Sequence, residues 1–413
     1  ESAWGPILHR EPDGTALALR WTAHLPGALN FGLSHFARAG SLDEALAFAN
    51  ATAVPGQNLV IGDRSGRIMW RMLGPMPMRG EGCSTHHLVE EASACRPWPV
   101  STAHAPAVID PAAGRLWTAN SRVVDGHALD RIGDGGYVLG TRARQIRDAL
   151  FARERFDERD LLAIQLDDRA GLLTPWWHLL RKSAGRTRLP ALTSLADAAT
   201  HWEGRAAPEA VSYRLVRTWR LAVNRRIEDG LLAPARAVLR EGESLPPLPQ
   251  LEGVAWPMVT ERPPHLLPAG YASWDALLED AAVETRETLT RKGPLDQRTW
   301  GEHNTANICH PLAGALPAFA KPWLCMPFEP LPGDTAVPRV QTPDKGASQR
   351  MVVAPGREAE GIAHMPGGQS GHPMSPFWGA GHDDWVHGRA TPFLPGATKH
   401  TLRMESTRPN DRR

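Results

Sequence analysis

Lysine, tyrosine and cysteine are scarce in this 413-residue sequence, and it contains no long apolar run. Lys supplies five of the 46 basic residues, Tyr occurs three times and Cys four times. No apolar stretch approaches the ~18 residues that a membrane-spanning helix needs. The net charge is +1, and Arg is spread along the whole chain without the basic patch of a nucleic-acid-binding protein. We therefore expect neither a membrane nor a nucleic acid as a partner.

Several catalytic and metal-binding motifs are also absent. The sequence has no C-x-x-C, which disfavours a zinc ribbon or a thioredoxin-type site. The segment Gly368-Gln369-Ser370-Gly371-His372 resembles a nucleophile elbow, but His372 occupies the last position of G-x-S-x-G, where the motif requires glycine. Flanking prolines also spoil the strand–turn–helix context of that motif. Ser370 is therefore not expected to be a nucleophile.

Histidine is frequent, with 17 residues, and one stretch groups four potential metal ligands, His382, Asp383, Asp384 and His387. The stretch lacks the H-E-x-x-H spacing, and no helix is predicted that would place two of these histidines on one face. We interpret it as a solvated loop and keep a metal site as the alternative.

The four cysteines fall into two local pairs, Cys83 with Cys95 and Cys309 with Cys325. Each pair would close a short loop, and a disulfide that closes such a loop contributes about 3 kcal/mol. Two disulfides would indicate an oxidising compartment, for which a bacterial periplasm is our prediction. Four free buried thiols are the alternative, because four cysteines allow three pairings.

What remains is the composition of a globular protein, with 42% hydrophobic and 22% charged residues. Ser41-Leu42-Asp43-Glu44 has the form of a capping box at the start of a helix. Asn58-Leu59-Val60-Ile61 and Arg67-Ile68-Met69-Trp70 flank a turn and predict a hairpin. We predict one antiparallel sheet that includes 58–73 and a strand at 115–120, with the C-terminal region returning to the same body.

The middle of the chain has helical periodicity. We predict a helix from Thr141 to about Arg155, another from Glu158, and mostly helical structure over 190–295, interrupted by the proline-rich stretch 242–268. Further along, a helix is predicted from Ser273 to about Arg291 and a short strand at 351–353. The whole chain, 1–413, is interpreted as a single α+β domain in which 160–300 is a mostly helical insertion.

Three polar residues are candidates for a catalytic role: Asn120, Arg142 and Glu302. An Asn at the end of a strand can direct its amide N–H into a cleft, as an oxyanion hole requires. An Arg in the first turn of a helix can support such an Asn or bind a substrate carboxylate. Glu302 could orient a nucleophile's amine or a neighbouring Arg. The residues alone allow an ordinary structural interpretation of all three, namely a turn, a helix face and a salt bridge.

Taken together, the segments of this chain resemble the penicillin acylase family of N-terminal-nucleophile hydrolases. The matching segments, which occur in the family's order, are Trp4-Gly5-Pro6-Ile7-Leu8, 58–74, Thr118-Ala119-Asn120-Ser121-Arg122-Val123-Val124, 142–150, Thr299-Trp300-Gly301-Glu302 with Asn304-Thr305, Leu331-Pro332-Gly333-Asp334, 346–353 and 366–376. No single segment is decisive, but their shared order is specific. Only about 160–300 is poorly marked.

The resemblance implies a four-layer αββα sandwich and an amide hydrolase made from one precursor that cuts itself into α and β chains. The cut exposes a serine at the start of the β chain, whose α-amine acts as the base for its own hydroxyl. By resemblance, Asn120 matches the oxyanion-hole Asn, Arg142 matches the Arg that steadies the site, and Glu302 lies in the family's Trp-Gly-Glu segment.

The chain also departs from the family's pattern. The nucleophilic serine should precede Glu1, so we expect this chain to be the larger part of a β subunit, incomplete in its sandwich and inactive alone. The α chain, which is the expected partner in a heterodimer, supplies part of the acyl pocket. No cofactor is predicted from the residues. Calcium is possible by resemblance, with most ligands outside this chain, and Asp130 is near one expected ligand position but out of register.

The expected function is hydrolysis of the amide bond of N-acylated small molecules, such as β-lactam antibiotics or acyl-homoserine lactones, with antibiotic metabolism as the family role. The pocket's shape, rather than any motif, decides among these substrates. The alternative, from a different class, is a non-catalytic binding chain with a β-like fold that lost its nucleophile.

Overall fold

The computed structural model describes residues 2–83, 88–89, 94–133 and 135–405, and its fold is α+β. The strands are short and all pair antiparallel. In chain order they are β1 Ile7–Arg10, β2 Ala16–Ala18, β3 Gln57–Gly62, β4 Ile68–Leu73, β5 Met76–Pro77, β6 Val100–Ser101, β7 Ala107–Ile109, β8 Arg350–Val352 and β9 Ile362–His364.

Helices make up most of the middle of the chain. They are α1 Leu42–Ala51, α2 Gly126–Ile132, α3 Thr141–Phe151, α4 Glu158–Gln165, α5 Leu173–Thr187, α6 Pro190–Ala198, α7 Val211–Arg236, α8 Glu252–Glu261, α9 Trp274–Thr290, α10 Trp300–His303 and α11 His382–His387. No helix in the described ranges is long and apolar enough to cross a bilayer.

The predicted hairpin is present. Strands β3 and β4 pair from Gln57–Leu73 to Gly62–Ile68, and the Asp63 carboxylate accepts the backbone N–H of Ser65 at 2.9 Å within the turn. The Ser65 hydroxyl also donates to this carboxylate. That hydrogen bond is the largest of the causes that hold the pKa of Asp63 below its usual value. The predicted helix at Ser41 is also confirmed, since the Ser41 hydroxyl accepts the N–H of Glu44.

The predicted strand at 115–120 is wrong. The third strand of the sheet is β7, which pairs with β4 from Met69–Ile109 to Arg71–Ala107. The segment 115–120 instead packs against the end of α3: Arg115 Nε donates to the Leu150 carbonyl at 2.7 Å, and the Trp117 ring meets Phe151 edge to face at 5.7 Å. Because Arg115 bonds to the end of a helix, the segment 115–120 lacks the strand pairing that its apolar pattern predicted.

The largest apolar core lies between helices α5 to α9. Trp176, Trp219 and Leu278 are fully buried in it, and Trp219 Nε1 donates to the Leu278 carbonyl at 3.1 Å. Helix α8 lies inside the proline-rich stretch 242–268, where an interruption was predicted. Pro257 is the sixth residue of that helix, so proline did not prevent its formation. That 160–300 is an insertion within one domain stays a prediction.

The chain after α9 docks back onto α7. Trp300 Nε1 donates to the Gly333 carbonyl at 2.9 Å, and buried Asp334 accepts from Arg217 Nε at 2.6 Å and from the Tyr213 hydroxyl at 2.8 Å. Gly333 has φ +97°, and a Cβ there would lie 2.2 Å from a backbone oxygen of Arg339, so only glycine fits this turn.

Two further features connect distant parts of the chain. Gly356 lies against the side chain of Arg64, so the N-terminal and C-terminal regions are in contact. Both predicted disulfides are confirmed: Cys83–Cys95 has its Cα atoms 4.8 Å apart and Cys309–Cys325 has them 3.9 Å apart. The alternative of four free thiols is therefore wrong.

Candidate active site

Asn120 and Arg142 are joined by a side-chain hydrogen bond. Arg142 Nη2 donates to Asn120 Oδ1 at 2.7 Å. A guanidinium group carries only donors, so the amide must turn its oxygen toward Arg142. The Nδ2 group of Asn120 is then directed away from Arg142 and is available as a donor.

Backbone structure holds both residues in place. The Asn120 carbonyl accepts the N–H of Val138 at 3.0 Å, which brings the segment before α3 back to Asn120. Arg142 is the second residue of α3, so the helix sets the position of its Cα. Ser121, next to Asn120, is buried. The chain between Asn120 and Arg142 therefore folds back on itself.

Arg142 is half-buried, and no carboxylate of the described residues forms an ion pair with it. Burial lowers the pKa of its guanidinium. The pKa of an arginine lies so far above 7 that the group stays charged at neutral pH. The cation therefore acts on the Asn120 amide rather than on an acid. A donor to the amide oxygen polarises the amide and makes its N–H groups stronger donors.

Asn120 lines a cavity of about 540 Å³, a size suited to a small molecule. The wall comes from the N-terminal part of the chain, the β3–β4 hairpin and its continuation, and the segment around Asn120. It consists of Arg20, Trp21, Thr22, Gly56, Gln57, Asn58, Met72, Pro75, Met76, Pro77, Arg79, Trp98, Ala119, Asn120, Ser121, Val123, Ile132, Gly133, Gly135, Gly136 and Tyr137. Arg142 stands behind Asn120 and is not part of this wall.

Two arginines flank one tryptophan in the cavity wall. The guanidinium carbons of Arg20 and Arg79 lie 5.1 and 5.2 Å from the ring centroid of Trp98, within the range of a cation–π contact. Arg20 Nε and Nη2 also donate to the Trp98 carbonyl at 3.1 and 2.5 Å. Arg79 Nη1 donates to the Arg131 carbonyl at 2.8 Å, and burial lowers its pKa.

The described wall includes no Asp or Glu, and Arg20 and Arg79 bring two positive charges to it. No sequence pattern indicated Arg20, Arg79 and Trp98. They are far apart along the chain and share no motif, and they meet only in the fold, through the cation–π contacts and the hydrogen bonds of Arg20 to the Trp98 carbonyl. The one available signal was the high Trp content, which does not indicate which tryptophans lie at a surface.

Glu302 is placed differently from the other two candidates. Its carboxylate forms ion pairs with Arg214 and, at 3.4 Å, with Arg298. Both arginine side chains are 9% exposed, and Arg214 also donates to the Thr299 carbonyl at 2.8 Å. Glu302 is absent from the cavity wall around Asn120. The structure therefore brings Asn120 and Arg142 together and gives Glu302 a set of partners of its own.

Ser370 lies in an irregular turn. Its hydroxyl accepts the N–H of His372 at 3.1 Å, and His372 Nδ1 accepts the N–H of Met374 at 3.0 Å. The Ser370 hydroxyl thus caps its own turn, and His372 Nδ1 caps the turn that follows. That Ser370 is not a nucleophile stays a prediction.

The stretch interpreted as a solvated loop is the helix α11, His382–His387, so that interpretation is wrong. Its Trp385 and Val386 are buried with Leu331 and Ala306 in a small apolar cluster. This packing of Trp385 and Val386 against distant residues stabilises a helix that is too short to be recognised from its periodicity.

Calcium would need several oxygen ligands around one point. The Asp130 carboxylate lies 3.9 Å from His127 Nδ1 on the exposed face of α2. Within the described ranges, Asp130 belongs to no group of three His, Cys, Asp or Glu side chains close enough to share an ion. Calcium binding, which the resemblance allows, stays a prediction.

The comparisons with known proteins agree on one family. The family model described as penicillin amidase matches residues 1–399. The chain is 27% identical over 422 residues to the penicillin acylase 2 proenzyme of Pseudomonas sp. (strain SE83), covering 95% of this chain and 51% of that protein. The chain thus spans about half the length of the curated relative it matches.

A solved structure agrees at the level of the fold. The chain is similar to thermostable penicillin G acylase from Alcaligenes faecalis in its orthorhombic form, with a TM-score of 0.63 and 16% sequence identity. The match covers 99% of this chain and 78% of that chain. At this identity the likeness concerns the fold alone.

Proposed function

The chain belongs to the penicillin amidase family, and on that premise we propose that it forms part of an enzyme that hydrolyses the amide bond of N-acylated small molecules. The observation that carries the proposal is the Arg142–Asn120 hydrogen bond beside a cavity of about 540 Å³. It orients an amide N–H donor before any substrate arrives, which is the requirement for stabilising an oxyanion without reorganisation.

The nucleophile in this proposal is a serine at the N-terminus of a mature β chain, supplied by a segment outside these 413 residues. Its α-amine takes the hydroxyl proton as the oxygen attacks the acyl carbon. The carbonyl oxygen becomes an oxyanion that accepts from Asn120 Nδ2. As this intermediate collapses, the C–N bond breaks and the α-ammonium returns its proton to the leaving amine. Water then hydrolyses the acyl-enzyme, which releases the carboxylic acid and restores the serine. The 413-residue chain alone is proposed to be inactive.

The proposal also covers assembly. A precursor cuts itself to give this chain's subunit and an α chain, which pair as a heterodimer and complete a four-layer αββα sandwich. The curated relative is named a proenzyme, which supports this route. Two disulfides are expected in a protein of an oxidising compartment, and we place the enzyme in the periplasm.

The substrate in this proposal carries a carboxylate. Arg20 and Arg79 bring two cations to a wall whose described part holds no acid, and guanidinium groups bind carboxylates strongly. A β-lactam nucleus carries a carboxylate, whereas the ring of an acyl-homoserine lactone is neutral. The cavity therefore favours β-lactam compounds over acyl-homoserine lactones, and antibiotic metabolism as the role.

The test compares two proteins with the same chromogenic N-acyl anilide. One is the product of the complete reading frame, and the other is the 413-residue chain. We expect the complete product to hydrolyse the anilide and the shorter chain to show no single-turnover acylation. Acylation of the shorter chain that disappears in Ser370→Ala would contradict the proposal. A complete product that folds but cleaves no amide would favour the non-catalytic binding chain.

A further inference from the structure

His382 is a buried histidine with one unused ring nitrogen. It is the first residue of α11 and is 3% exposed. Its Nδ1 lies 2.7 Å from the Pro366 carbonyl oxygen. Because a carbonyl only accepts, Nδ1 carries the proton, and in the neutral ring Nε2 then carries a lone pair. Nε2 is buried and has no hydrogen-bond partner among the described residues.

This nitrogen faces a carboxylate. His382 Nε2 lies 3.4 Å from Glu329 Oε1, and the neutral ring and the carboxylate would meet there as two acceptors. Two ligand atoms held about 2.1 Å from a tetrahedral ion are about 3.4 Å apart. The observed separation therefore matches two ligands of one metal ion.

Two more ligands lie beside Glu329. Ligand atoms of Glu329, Asp383 and His387 are all within 4.8 Å of one another. Asp383 and His387 are four residues apart on α11, which puts them on the same face. His387 Nδ1 lies 3.0 Å from both the carbonyl oxygen and Oδ1 of Asp383, so Nδ1 carries the proton and Nε2 is the nitrogen left for an ion. The side chains of Asp383 and His387 are 68% and 51% exposed, so an ion can enter from solvent.

One cation already competes for this position. Arg389 forms an ion pair with Asp383. It also donates from Nε to Asp384 Oδ1 at 2.9 Å. If Asp383 turns toward an ion, Arg389 keeps Asp384 as its partner, and no arginine is left without an acid.

We propose that Glu329, His382, Asp383 and His387 bind a divalent transition metal ion of the zinc class. Two imidazoles with two carboxylates suit Zn²⁺ and its neighbours rather than calcium, which takes oxygen ligands. The Nδ1 contact of His382 with a carbonyl is the second-shell bond that metal-binding histidines usually make. The ion joins α11 to the segment that carries Glu329 and stabilises the C-terminal part of the chain. This site is independent of the cavity at Asn120.

The test titrates Zn²⁺ into the chelator-treated chain by isothermal calorimetry in 0.15 M salt, with Ca²⁺ in a parallel titration. We expect one Zn²⁺ per chain, no comparable Ca²⁺ binding, and a melting temperature that rises with the Zn²⁺ concentration. Glu329→Gln and His387→Gln should each weaken binding at least tenfold, because each removes a direct ligand. Both positions are partly exposed, and circular dichroism checks that the variants fold.

Two further variants complete the design. His372→Gln removes an exposed histidine from the preceding loop and should bind Zn²⁺ as the unchanged chain does. Arg389→Gln removes the competing cation and should tighten binding severalfold. The proposal is overturned if the unchanged chain binds no Zn²⁺, or if Glu329→Gln and His387→Gln bind it as tightly as His372→Gln does.

Discussion

Arg142 donates from Nη2 to Asn120 Oδ1 across 2.7 Å, and this contact decides which end of the Asn120 amide is free. The guanidinium cannot accept, so the amide oxygen is committed to it and the N–H groups are left for another acceptor. The half-buried arginine has no acidic partner among the described residues. The orientation of each of the two side chains therefore depends on this hydrogen bond.

The first prediction concerns the oxyanion donor. In the complete enzyme, Asn120→Ala should lower kcat about 10²–10³-fold, the usual loss for one oxyanion donor. KM should change much less, because the contact strengthens only as charge develops on the oxygen. Steady-state kinetics with an N-acyl anilide measures both constants.

Asn120→Asp is the matched control for that prediction. It keeps the shape and the contact with Arg142, and it removes the N–H donor. We expect its kcat to be at least as low as that of Asn120→Ala, with a melting temperature that does not decrease. Near-normal kcat in the Asp variant would remove Asn120 from the oxyanion site.

Arg142 is a positioning residue, and its loss should act through Asn120. Arg142→Met keeps much of the side-chain volume but frees the Asn120 amide to rotate, so kcat should fall by up to about 10²-fold, the effect of a misplacement near 1 Å. Arg142→Lys retains one donor and should recover part of the activity. In the double variant with Asn120→Ala, the Arg142 substitution should cost little more. Additive losses would show that Arg142 acts independently of Asn120.

Arg79 is predicted to recognise an anionic group of the substrate. Arg79→Gln should raise KM about 10- to 100-fold for a substrate with a carboxylate, because a hydrogen bond to a charged group contributes about 1.5–3 kcal/mol. The methyl ester of the same substrate is the control, and its KM should not change. Equal losses for the acid and the ester would instead indicate damage to the Trp98 wall.

Glu302 is predicted to act in stability rather than in catalysis. Glu302→Gln leaves two largely buried arginines, Arg214 and Arg298, without their acid. The free energy of unfolding should fall by about 1–3 kcal/mol, the cost of losing hydrogen bonds to a charged group. Thermal denaturation measures this loss, and kcat of the folded variant should stay within about twofold. A large loss of kcat at an unchanged melting temperature would return Glu302 to the catalytic site.

The stability should depend on pH through His364, which is 3% exposed. Its Nδ1 lies 3.0 Å from Arg350 Nη1, and its Nε2 lies 2.6 Å from the Arg389 carbonyl. Burial is the main cause that lowers the pKa of His364, and the Arg350 charge lowers it further, below the ordinary value of 6.5. The unfolded chain therefore takes up a proton first as the pH falls.

Because the unfolded state binds more protons in this range, the free energy of unfolding should decrease as the pH falls below about 6.5. One group contributes at most about 1.4 kcal/mol per pH unit. Urea denaturation between pH 8 and pH 5, with a chelator present, measures the slope. His364→Asn keeps an acceptor for Arg350 and cannot titrate, so its slope should be smaller. An unchanged slope would assign the dependence to other groups.

The sequence predicted local structure well wherever a few neighbouring residues decide it. The Ser41 hydroxyl caps α1, as its spacing to Glu44 indicates, although the Glu44 carboxylate bonds to the N–H of Gly40 at 2.7 Å rather than to that of Ser41. Asp157 and Asp160 form a full capping box at the start of α4. These contacts span three or four residues, so their spacing is visible in the sequence.

Structure that depends on distant partners was not predictable in the same way. The segment 115–120 has the pattern of a strand, but it packs on a helix end because Arg115 donates to the carbonyls of Leu150 in α3 and of Arg153 just after it. The helix α11 forms because Trp385 and Val386 find a buried place. The residues of the candidate site show the same difference. The family resemblance predicted Asn120 and Arg142, whereas no sequence pattern indicates that Arg20, Arg79 and Trp98 come together.

The two disulfides lie just upstream of residues that the proposed sites use. Cys95 precedes Trp98 of the cavity wall by three residues, and Cys325 precedes Glu329 by four. Joining each cysteine to its partner shortens the free chain that leads to these residues and reduces the entropy lost when they become ordered. We therefore expect oxidation of both disulfides to favour the ordered conformation of these two segments, and reduction to disfavour it.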